Sequence, residues 1–450
     1  MSNSFKKYDK KIYAGITKDA ESFAIQKIIN NTDNDLLCIL SDGVSLKQVY
    51  DVLSYIEPRI DILLFPAWDT VPYDRVSPNP NILSKRIDTL SKLALNDTKK
   101  RTIVLTSIGA IIQKLPPKKI FLNSRKCIKI GENLDFDSFL HYITINGYTR
   151  FEQVMESGEY AIRGDIIDIF PTGAEKPLRI DLFDNEVERL RLFEIETQRS
   201  CEELKFYDFD SANEVILDKN TIKSFRSKYR EAFGADGIKD ELYESISNNK
   251  KYIGMENWLP FFYEDALPSL FDYIPNADII LGIDIENALK SKCESIFDYY
   301  HARLEALKIN NTSEIDRYRP ILPELMFFDE RAFASIINNK PHIKLSNLSI
   351  PNSDNVLNYN AIPQQNYSSL KNINTLTVYE NLKQELDIHK NKNRIICCYS
   401  AGSLDRMFNI LKENDFKNIC IASDWKDALN KSSKGNIALI ILELPHGFIE

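Results

Sequence analysis

Residues 158–193 constrain the fold of this chain more than any other stretch, because their side chains follow a two-residue period. Residues 159–170 are rich in β-branched and aromatic side chains, and residues 178–183 and 186–193 alternate between apolar and other side chains. Alternation of this kind predicts β-strands that place one face on a hydrophobic core. An Asp-Asn pair at 184–185 suits a tight turn between two of the strands. The stretch therefore predicts three extended segments joined by turns.

The outward face of this predicted sheet combines arginines with aromatic side chains. An exposed phenylalanine gains free energy only when a partner covers it, and a guanidinium group binds carboxylates with planar, bidentate geometry. A protein–protein contact would use such a face. On spacing alone an alternative stays open, in which the arginines pair across strands with Asp165, Asp181 and Glu188 and an Arg stem covers Phe183. The outward positions are Arg163, Arg179, Phe183, Arg189, Arg191 and Phe193.

Length and composition place the chain among ordinary globular proteins. Its 450 residues correspond to about three domains. The formal net charge of −8 argues against a large nucleic-acid contact, because neutralising phosphates supplies most of such affinity. No apolar run approaches the ~20 residues of a membrane helix and no secretory signal is recognisable, so we expect a cytoplasmic protein without a membrane partner. The 7 cysteines and 5 histidines lack metal-ligand spacing, and we expect reduced thiols and no metal site.

The order of strand and helix patterns predicts an α/β fold built in several parts. In residues 1–125 apolar strands alternate with amphipathic helices, which is typical of a mostly parallel sheet. The strand-rich stretch falls in residues 126–210, and α/β character returns in residues 211–335. Residues 336–375 read as a linker rich in Asn, Ser and Pro, and residues 376–450 follow the β-α-β-α-β pattern of a small flavodoxin-like unit. Helices are expected at residues 23–29, 44–54, 82–95 and 108–115 of the first part.

The turn at residues 13–22 stands where a nucleotide-binding sheet domain would carry the phosphate loop GxxxxGK[ST]. Gly15 and Ser22 occupy plausible motif positions, whereas Ala20 and Glu21 replace the second glycine and the lysine. A glutamate repels the phosphate that the lysine would attract. We therefore expect a degenerate nucleotide site that binds no phosphate.

Aromatic side chains in the loop 65–80 raise two possibilities. Trp68 and Tyr73 could stack on nucleic-acid bases, or they could pack the loop against its own domain. We favour packing, because buried aromatic side chains give a loop a large stabilising contact area. Near the end of the chain, Ser400 or Ser403 is expected to cap a helix, since the residues around them lack the GxSxG frame of a catalytic serine.

Three passages together resemble the N-terminal part of the bacterial transcription-repair coupling factor family. They are FPAWDTVPYDRVSP at residues 65–78, the long passage from QVMESGEYAIRGD to IETQRS at 153–200, and GMENWLPFFYEDALPSLFDYIP at 254–275. The second and third also resemble UvrB, the helicase of nucleotide excision repair. The likeness covers about residues 10–335 and identifies the chain as an N-terminal fragment of a member of this family.

The resemblance implies a fold and a partner. It implies a degenerate UvrB-like parallel-sheet domain into which a small α+β docking domain is inserted. In the family this docking domain binds UvrA, the damage-recognition ATPase, through two arginines and a phenylalanine. These fall here on Arg163, Arg179 and Phe183, and Arg189 and Arg191 on the next strand are weaker candidates.

Departures from UvrB are equally informative. The Asp-Glu-Ser-His motif of that helicase is matched by DIEN at residues 284–287, so Ile285 follows Asp284 where the motif has glutamate. ATP hydrolysis needs the phosphate cradle, the Mg²⁺ ligand and the water-orienting group together. The loop after residue 75 is also too short for the DNA clamp of UvrB. We therefore expect no catalytic residue and no cofactor in this chain.

The family resemblance also implies parts that lie beyond these 450 residues. ATP and Mg²⁺ would belong to a C-terminal DNA translocase motor, and RNA polymerase and DNA would bind further C-terminal domains, one of which could mask the docking face. The leading hypothesis is a non-catalytic module that recruits UvrA to transcription-coupled repair. The alternative is a nucleotide- or DNA-handling UvrB-like domain with residual binding of ATP or damaged DNA.

Overall fold

The computed structural model describes residues 10–95, 101–309, 317–351, 353–364 and 378–450. Within these ranges no helix is both long and apolar enough to cross a membrane. The strands are β1 (Lys10–Ala14), β2 (Leu36–Leu40), β3 (Ile62–Phe65), β4 (Ile103–Ser107), β5 (Lys126–Lys129), β6 (Thr149–Arg150), β7 (Glu159–Arg163), β8 (Ile166–Ile169), β9 (Leu178–Phe183), β10 (Glu186–Phe193), β11 (Ser200–Leu204), β12 (Phe206–Phe209), β13 (Asp278–Leu281), β14 (His342–Leu345), β15 (Val356–Asn358), β16 (Ile362–Pro363), β17 (Arg394–Cys398), β18 (Ile419–Ile421), β19 (Ile437–Ile441) and β20 (Phe448–Ile449).

Helices alternate with these strands through most of the chain, and a short 3-10 turn at Lys18–Ala20 precedes the first of them. The α-helices are α1 (Glu21–Ile29), α2 (Gly43–Ile56), α3 (Pro80–Leu95), α4 (Ile108–Ile111), α5 (Lys118–Ser124), α6 (Phe136–Ile145), α7 (Lys219–Gly237), α8 (Glu241–Ser247), α9 (Leu259–Phe262), α10 (Leu270–Tyr273), α11 (Ile285–Ile309), α12 (Pro323–Met326), α13 (Glu330–Asn338), α14 (Val378–Ile388), α15 (Ala401–Glu413) and α16 (Trp425–Ser433).

A seven-stranded sheet forms the centre of the large domain, with the order β15-β1-β14-β13-β2-β4-β3. All of its pairings are parallel. The five residues of β2 are buried, because helices cover both sheet faces. Leu37 and Ile39 pack on the side of α3, whereas Cys38 packs on the side of α1 and α2. The predicted parallel α/β fold is confirmed.

Two sequence predictions in this domain were wrong. The helix expected at 108–115 ends at Ile111, because the backbone N–H groups of Lys114 and Leu115 donate to Met326 and Pro268 instead of continuing the helix. The linker expected at 336–375 contains strands of the large sheet, since β14 lies between β1 and β13, and β15 pairs with β1. The Asn-rich composition of this stretch favoured a linker prediction although the stretch contains short strands. The rest of that stretch, from residue 365, lies outside the described residues.

Residues 126–209 build a separate six-stranded sheet with the order β11-β10-β9-β8-β7-β6, beside the β5-β12 ladder and α6. Its inner face packs on a core of its own, to which Phe139, Ile167 and Ile180 contribute. The expected single segment at 159–170 is two strands, because Gly164 adopts a positive φ of 62° and turns the chain back. Residues 158–193 thus hold four strands, not three.

The last part of the chain forms a three-stranded parallel sheet, with β19 between β17 and β18 and helices following in the expected alternation. Ser400 and Ser403 form a capping box at the start of α15, which confirms the predicted helix cap. This unit packs on α1 through aromatic contacts. The ring of Phe23 lies 5.3 Å from that of Trp425 and 5.1 Å from that of Phe448.

Candidate docking face and nucleotide cleft

The outer face of the six-stranded sheet is organised in cross-strand rows. Arg163 pairs with Ile166, Ile166 with Asp181, and Asp181 with Arg189, so these four side chains share one row on the same face. The row lies at the end of the sheet where tight turns join β7 to β8 and β9 to β10. We call this row, together with Phe183, the docking face.

Phe183 is the most prominent apolar side chain of this face. It is the last residue of β9 and is 70% exposed. The turn that follows places Asp184 and Asn185 at positive φ angles of 48° and 68°, the geometry of a tight two-residue hairpin loop. Among the described residues no Arg stem covers a ring that is 70% exposed. The structure therefore does not support the alternative in which an arginine shields Phe183. The hairpin therefore presents a large apolar group to solvent.

Arg179 lies in the next row and is engaged inside the domain. Its guanidinium group donates to both carboxylate oxygens of Asp168, at 2.6 and 2.9 Å, and lies 4.6 Å from the ring centre of Phe193. Asp168 is buried, and the side chain of Arg179 is only 15% exposed. Phe193, expected to face outward into solvent, is fully buried in this arrangement.

Of the remaining arginines, Arg191 is ion-paired, whereas Arg163 and Arg189 are exposed. Arg191 donates to Oδ2 of Asp181 at 2.9 and 2.6 Å, so its charge is paired across the strands. Arg163 is exposed and donates to the backbone oxygen of Glu152 at 3.3 Å. Arg189 is exposed, with the nearest carboxylate oxygen of Glu188 at 3.9 Å. Cross-strand charge pairing thus describes Arg179 and Arg191, whereas Arg163 and Arg189 keep exposed guanidinium groups.

The far end of the outer face is closed by a small apolar cluster that sequence reasoning missed. Val154 comes from the segment that crosses the sheet, and it packs with Ala161, Phe170 and Phe193. Asp168, the buried partner of Arg179, was missed as well, although it stands between two isoleucines in an alternating run. The apolar cluster thus lies away from the end of the face that carries Phe183.

The expected degenerate nucleotide site lies at the carboxyl ends of the large parallel sheet, where such folds bind ligands. The backbone N–H of Gly15 donates to Leu348, which commits an amide that a phosphate loop would keep for its ligand. Ala20 and Ser22 are buried. The motif positions have become part of the interior.

Glu21 occupies the space that the phosphate loop would leave open. It is buried, and its Oε1 accepts the backbone N–H of Ile283 at 2.7 Å. Gly282 provides the room, since a Cβ on this residue would lie 2.7 Å from the same Oε1. Burial raises the pKa of the Glu21 carboxyl to about 7, against the opposing effects of the Ile283 N–H and Lys18.

The cleft beside Glu21 has a volume of about 900 Å³. Asp42 and Asp284 line it with Glu21, and the carboxylate of Asp284 accepts the side-chain N–H of Asn287 at 2.5 Å. Lys18 and Lys292 also reach the cleft, and burial lowers the pKa of Lys292. Three carboxyl groups and two lysines thus line this cavity, and one of the carboxyl groups, that of Glu21, is already engaged by a backbone N–H.

A buried ion pair connects the large domain to the segment that returns from the inserted sheet. The side chains of Arg86 and Glu214 are both fully buried and form two hydrogen bonds, at 2.5 and 3.2 Å. Arg86 also stacks on Phe65 at 4.3 Å, and Trp68 lies 5.5 Å from its guanidinium carbon. Trp68 and the buried Tyr73 therefore pack against their own domain, as the favoured prediction had it.

The chain is similar to known proteins over most of its length. Residues 127–214 match the family described as UvrB interaction domain. The transcription-repair-coupling factor of Rickettsia bellii is 30% identical over 429 residues, which are 95% of this chain and 36% of that protein. That of Rickettsia conorii is 30% identical over 88% of this chain and 34% of its own length, and that of Escherichia coli is 28% identical over 76% and 29%.

The parallel sheet domain and its second, six-stranded sheet therefore define a protein that contains a UvrB interaction domain. The chain belongs to the family of the transcription-repair-coupling factors, and it spans about a third of the length of these relatives.

Proposed function

We propose that this chain recruits nucleotide excision repair by binding UvrA on the docking face. The observation that carries the proposal is Phe183, a phenylalanine that is 70% exposed at the tip of a hairpin. Arg163 and Arg189 flank it with exposed guanidinium groups. An aromatic anchor beside arginines is the composition that dominates the binding energy of protein interfaces.

The five candidate residues would divide the work. Phe183 would enter an apolar pocket of UvrA, and Arg163 and Arg189 would meet its carboxylates. Arg179 and Arg191 would act mainly by position, since each already holds a carboxylate of this sheet. The two arginines would neutralise the charges of Asp168 and Asp181 and so stabilise the outer sheet face next to the hairpin.

The role within the whole protein follows from the relatives, which are named for coupling transcription to repair. We infer that this chain supplies the recruitment of repair and no catalysis. ATP and Mg²⁺, and the contacts with RNA polymerase and DNA, would belong to the other two thirds of such a protein. A further domain there could cover the docking face until repair is needed.

The affinity of the chain for purified UvrA tests the proposal, measured by isothermal titration calorimetry. Phe183→Ala is expected to weaken binding at least about thirtyfold, corresponding to about 2 kcal/mol or more for a buried aromatic anchor. Phe206→Ala is the matched control, because Phe206 is 57% exposed on the neighbouring β5-β12 ladder. Equal binding by wild type and Phe183→Ala would show that the docking face is wrongly assigned.

The alternative, residual handling of nucleotide or DNA, has weaker support. Glu21 is buried at the cleft, and Asp42 and Asp284 add carboxylates around it. Equilibrium dialysis with ATP and Mg²⁺ decides between the two functions. Micromolar ATP binding that Asp284→Ala weakens would favour the alternative.

A further inference from the structure

A groove on the large domain lies apart from both the docking face and the nucleotide cleft. It has a volume of about 1190 Å³ and runs between α11, α12 and α13. Tyr300, Phe327 and Phe328 line it, and Phe297 forms part of its wall at 57% exposure. The His301 ring packs on that of Phe297 at 4.2 Å in a T-shaped contact. An aromatic wall this exposed is a mark of an interaction surface.

The wall continues along α11 with the spacing of a helix-pairing stripe. Its apolar members recur at intervals of four, three, four and three residues, the a/d repeat by which one helix packs along another. Tyr300, Leu304 and Leu307 are only half-buried in the fold. The second half of α11 thus has an apolar side that the described part of its domain covers incompletely. The stripe consists of Cys293, Phe297, Tyr300, Leu304 and Leu307.

Acidic side chains surround the groove. Among the residues that line it, Lys114 is the one lysine or arginine, and its Nζ already donates to the backbone oxygen of Glu324 at 2.6 Å and lies 5.6 Å from the Phe328 ring. Asp329 caps α13 by accepting the N–H of Ala332. The rim carries a net negative charge, although Glu294 also lies 4.0 Å from Nζ of Lys290 one turn earlier on α11. Its carboxylates are Glu294, Asp298, Glu324, Asp329 and Glu330.

We propose that this groove binds an α-helix of a partner protein, one with an apolar stripe flanked by lysines or arginines. The a/d spacing on α11 fits a helical partner, and the acidic rim fits a basic one. Nucleic acid is the wrong ligand, because the carboxylates would repel its phosphates. A second copy of this chain is disfavoured as well, since the same acidic rim would face itself.

A synthetic peptide tests the proposal with the whole 450-residue chain. The probe is a fluorescein-labelled 18-residue helix of about equal Leu and Lys with the a/d spacing, and its partner probe replaces every Lys by Glu. Fluorescence anisotropy should show micromolar binding of the Lys peptide and none of the Glu peptide. Phe297→Glu should weaken binding at least about tenfold, and Asp298→Lys about threefold.

Phe206→Glu is the control for adventitious binding to an acidic protein, because Phe206 is exposed to the same 57% on the inserted domain. It should bind the Lys peptide as wild type does. Circular dichroism before titration verifies that each variant is folded. Unchanged binding by Phe297→Glu, binding of both peptides alike, or dimerisation of the chain that Phe297→Glu abolishes would each overturn the proposal. Because UvrA is absent from this experiment, its outcome is independent of the docking face.

Discussion

The docking face and the nucleotide cleft both place charged groups beside a sheet, but they treat those groups differently. In the cleft, Glu21 is turned inward, and a backbone N–H holds its carboxylate. On the outer face of the six-stranded sheet, Arg179 and Arg191 are paired within the sheet, and apolar Phe183 is left exposed. The cleft therefore holds its charged group with the protein's own backbone, whereas the outer sheet face pairs its charges and leaves an apolar side chain exposed.

The largest effect is expected where the large domain meets the returning segment. Glu214→Ala leaves the guanidinium of Arg86 buried without its carboxylate, so the free energy of unfolding should fall by about 3–5 kcal/mol in urea denaturation. Glu188→Ala, at an exposed position of β10, should change it by less than about 0.5 kcal/mol. A small loss for Glu214→Ala would show that the Arg86–Glu214 pair does not stabilise the contact between the large domain and the returning segment.

Arg179→Ala tests whether the paired charge of Arg179, in the row next to the docking face, stabilises the sheet. Asp168 would stay buried without its two hydrogen bonds, so the free energy of unfolding should fall by about 3 kcal/mol. Arg163→Ala should leave stability within about 0.5 kcal/mol of wild type, because its side chain is exposed. Adding Asp168→Asn to Arg179→Ala removes the unpaired charge and should recover part of the loss. Equal stability of Arg163→Ala and Arg179→Ala would contradict the assignment of a structural role to Arg179 and not to Arg163.

Glu21→Gln tests the filled cleft through pH. The folded-state pKa of about 7 lies above the ordinary value of 4.5, so the stability that the protonated carboxyl contributes is fully present below pH 4.5 and is lost as the pH rises through 7. Glutamine stays neutral and can still accept the Ile283 N–H. The variant should be close to wild type near pH 4.5 and exceed it by about 3 kcal/mol at pH 8 in thermal or urea unfolding.

The comparison control for this pH effect is Glu188→Gln, whose carboxyl is exposed. This exposed substitution should change the free energy of unfolding by less than about 0.5 kcal/mol. Lys18 and Asp42 face Glu21 and act on its charge, Lys18 lowering its pKa and Asp42 raising it, so both contribute to the difference between wild type and Glu21→Gln. A Glu21→Gln advantage that does not grow with pH would contradict a buried carboxyl at this position.

Local patterns were enough to predict much of the fold. The alternation at Leu178–Phe183 and Glu186–Phe193 gave both strands with the bounds that they have, because one buried face fixes the period of a strand. The helices expected at residues 44–54 and 82–95 were likewise found, at Gly43–Ile56 and Pro80–Leu95. The strands at 342–345 and 356–358 escaped notice, since a short strand in an Asn-rich segment is defined by its neighbours in the sheet and not by its own sequence.

The sequence predicted which residues form the site, but not which of them are paired within the sheet and which are exposed. Spacing placed Arg163, Arg179 and Phe183 on one face. Which arginine is paired depends on Asp168, a cross-strand neighbour that only the register brings within 2.6 Å of Arg179. Similarly, the replacement of a lysine by Glu21 indicated a lost phosphate site, while the burial of that carboxylate depends on Gly282, which is distant in sequence.

Hydrogen exchange of this chain with and without UvrA tests most directly whether the docking face, and not the cleft, meets the partner. Addition of UvrA should slow exchange in the peptides that cover residues 163–166 and 183–186, the two turns at the open end of the sheet. Exchange in the turn at residues 15–20, beside Glu21, should stay unchanged. Protection of the 15–20 turn with no change at 163–166 and 183–186 would contradict the assignment of both regions.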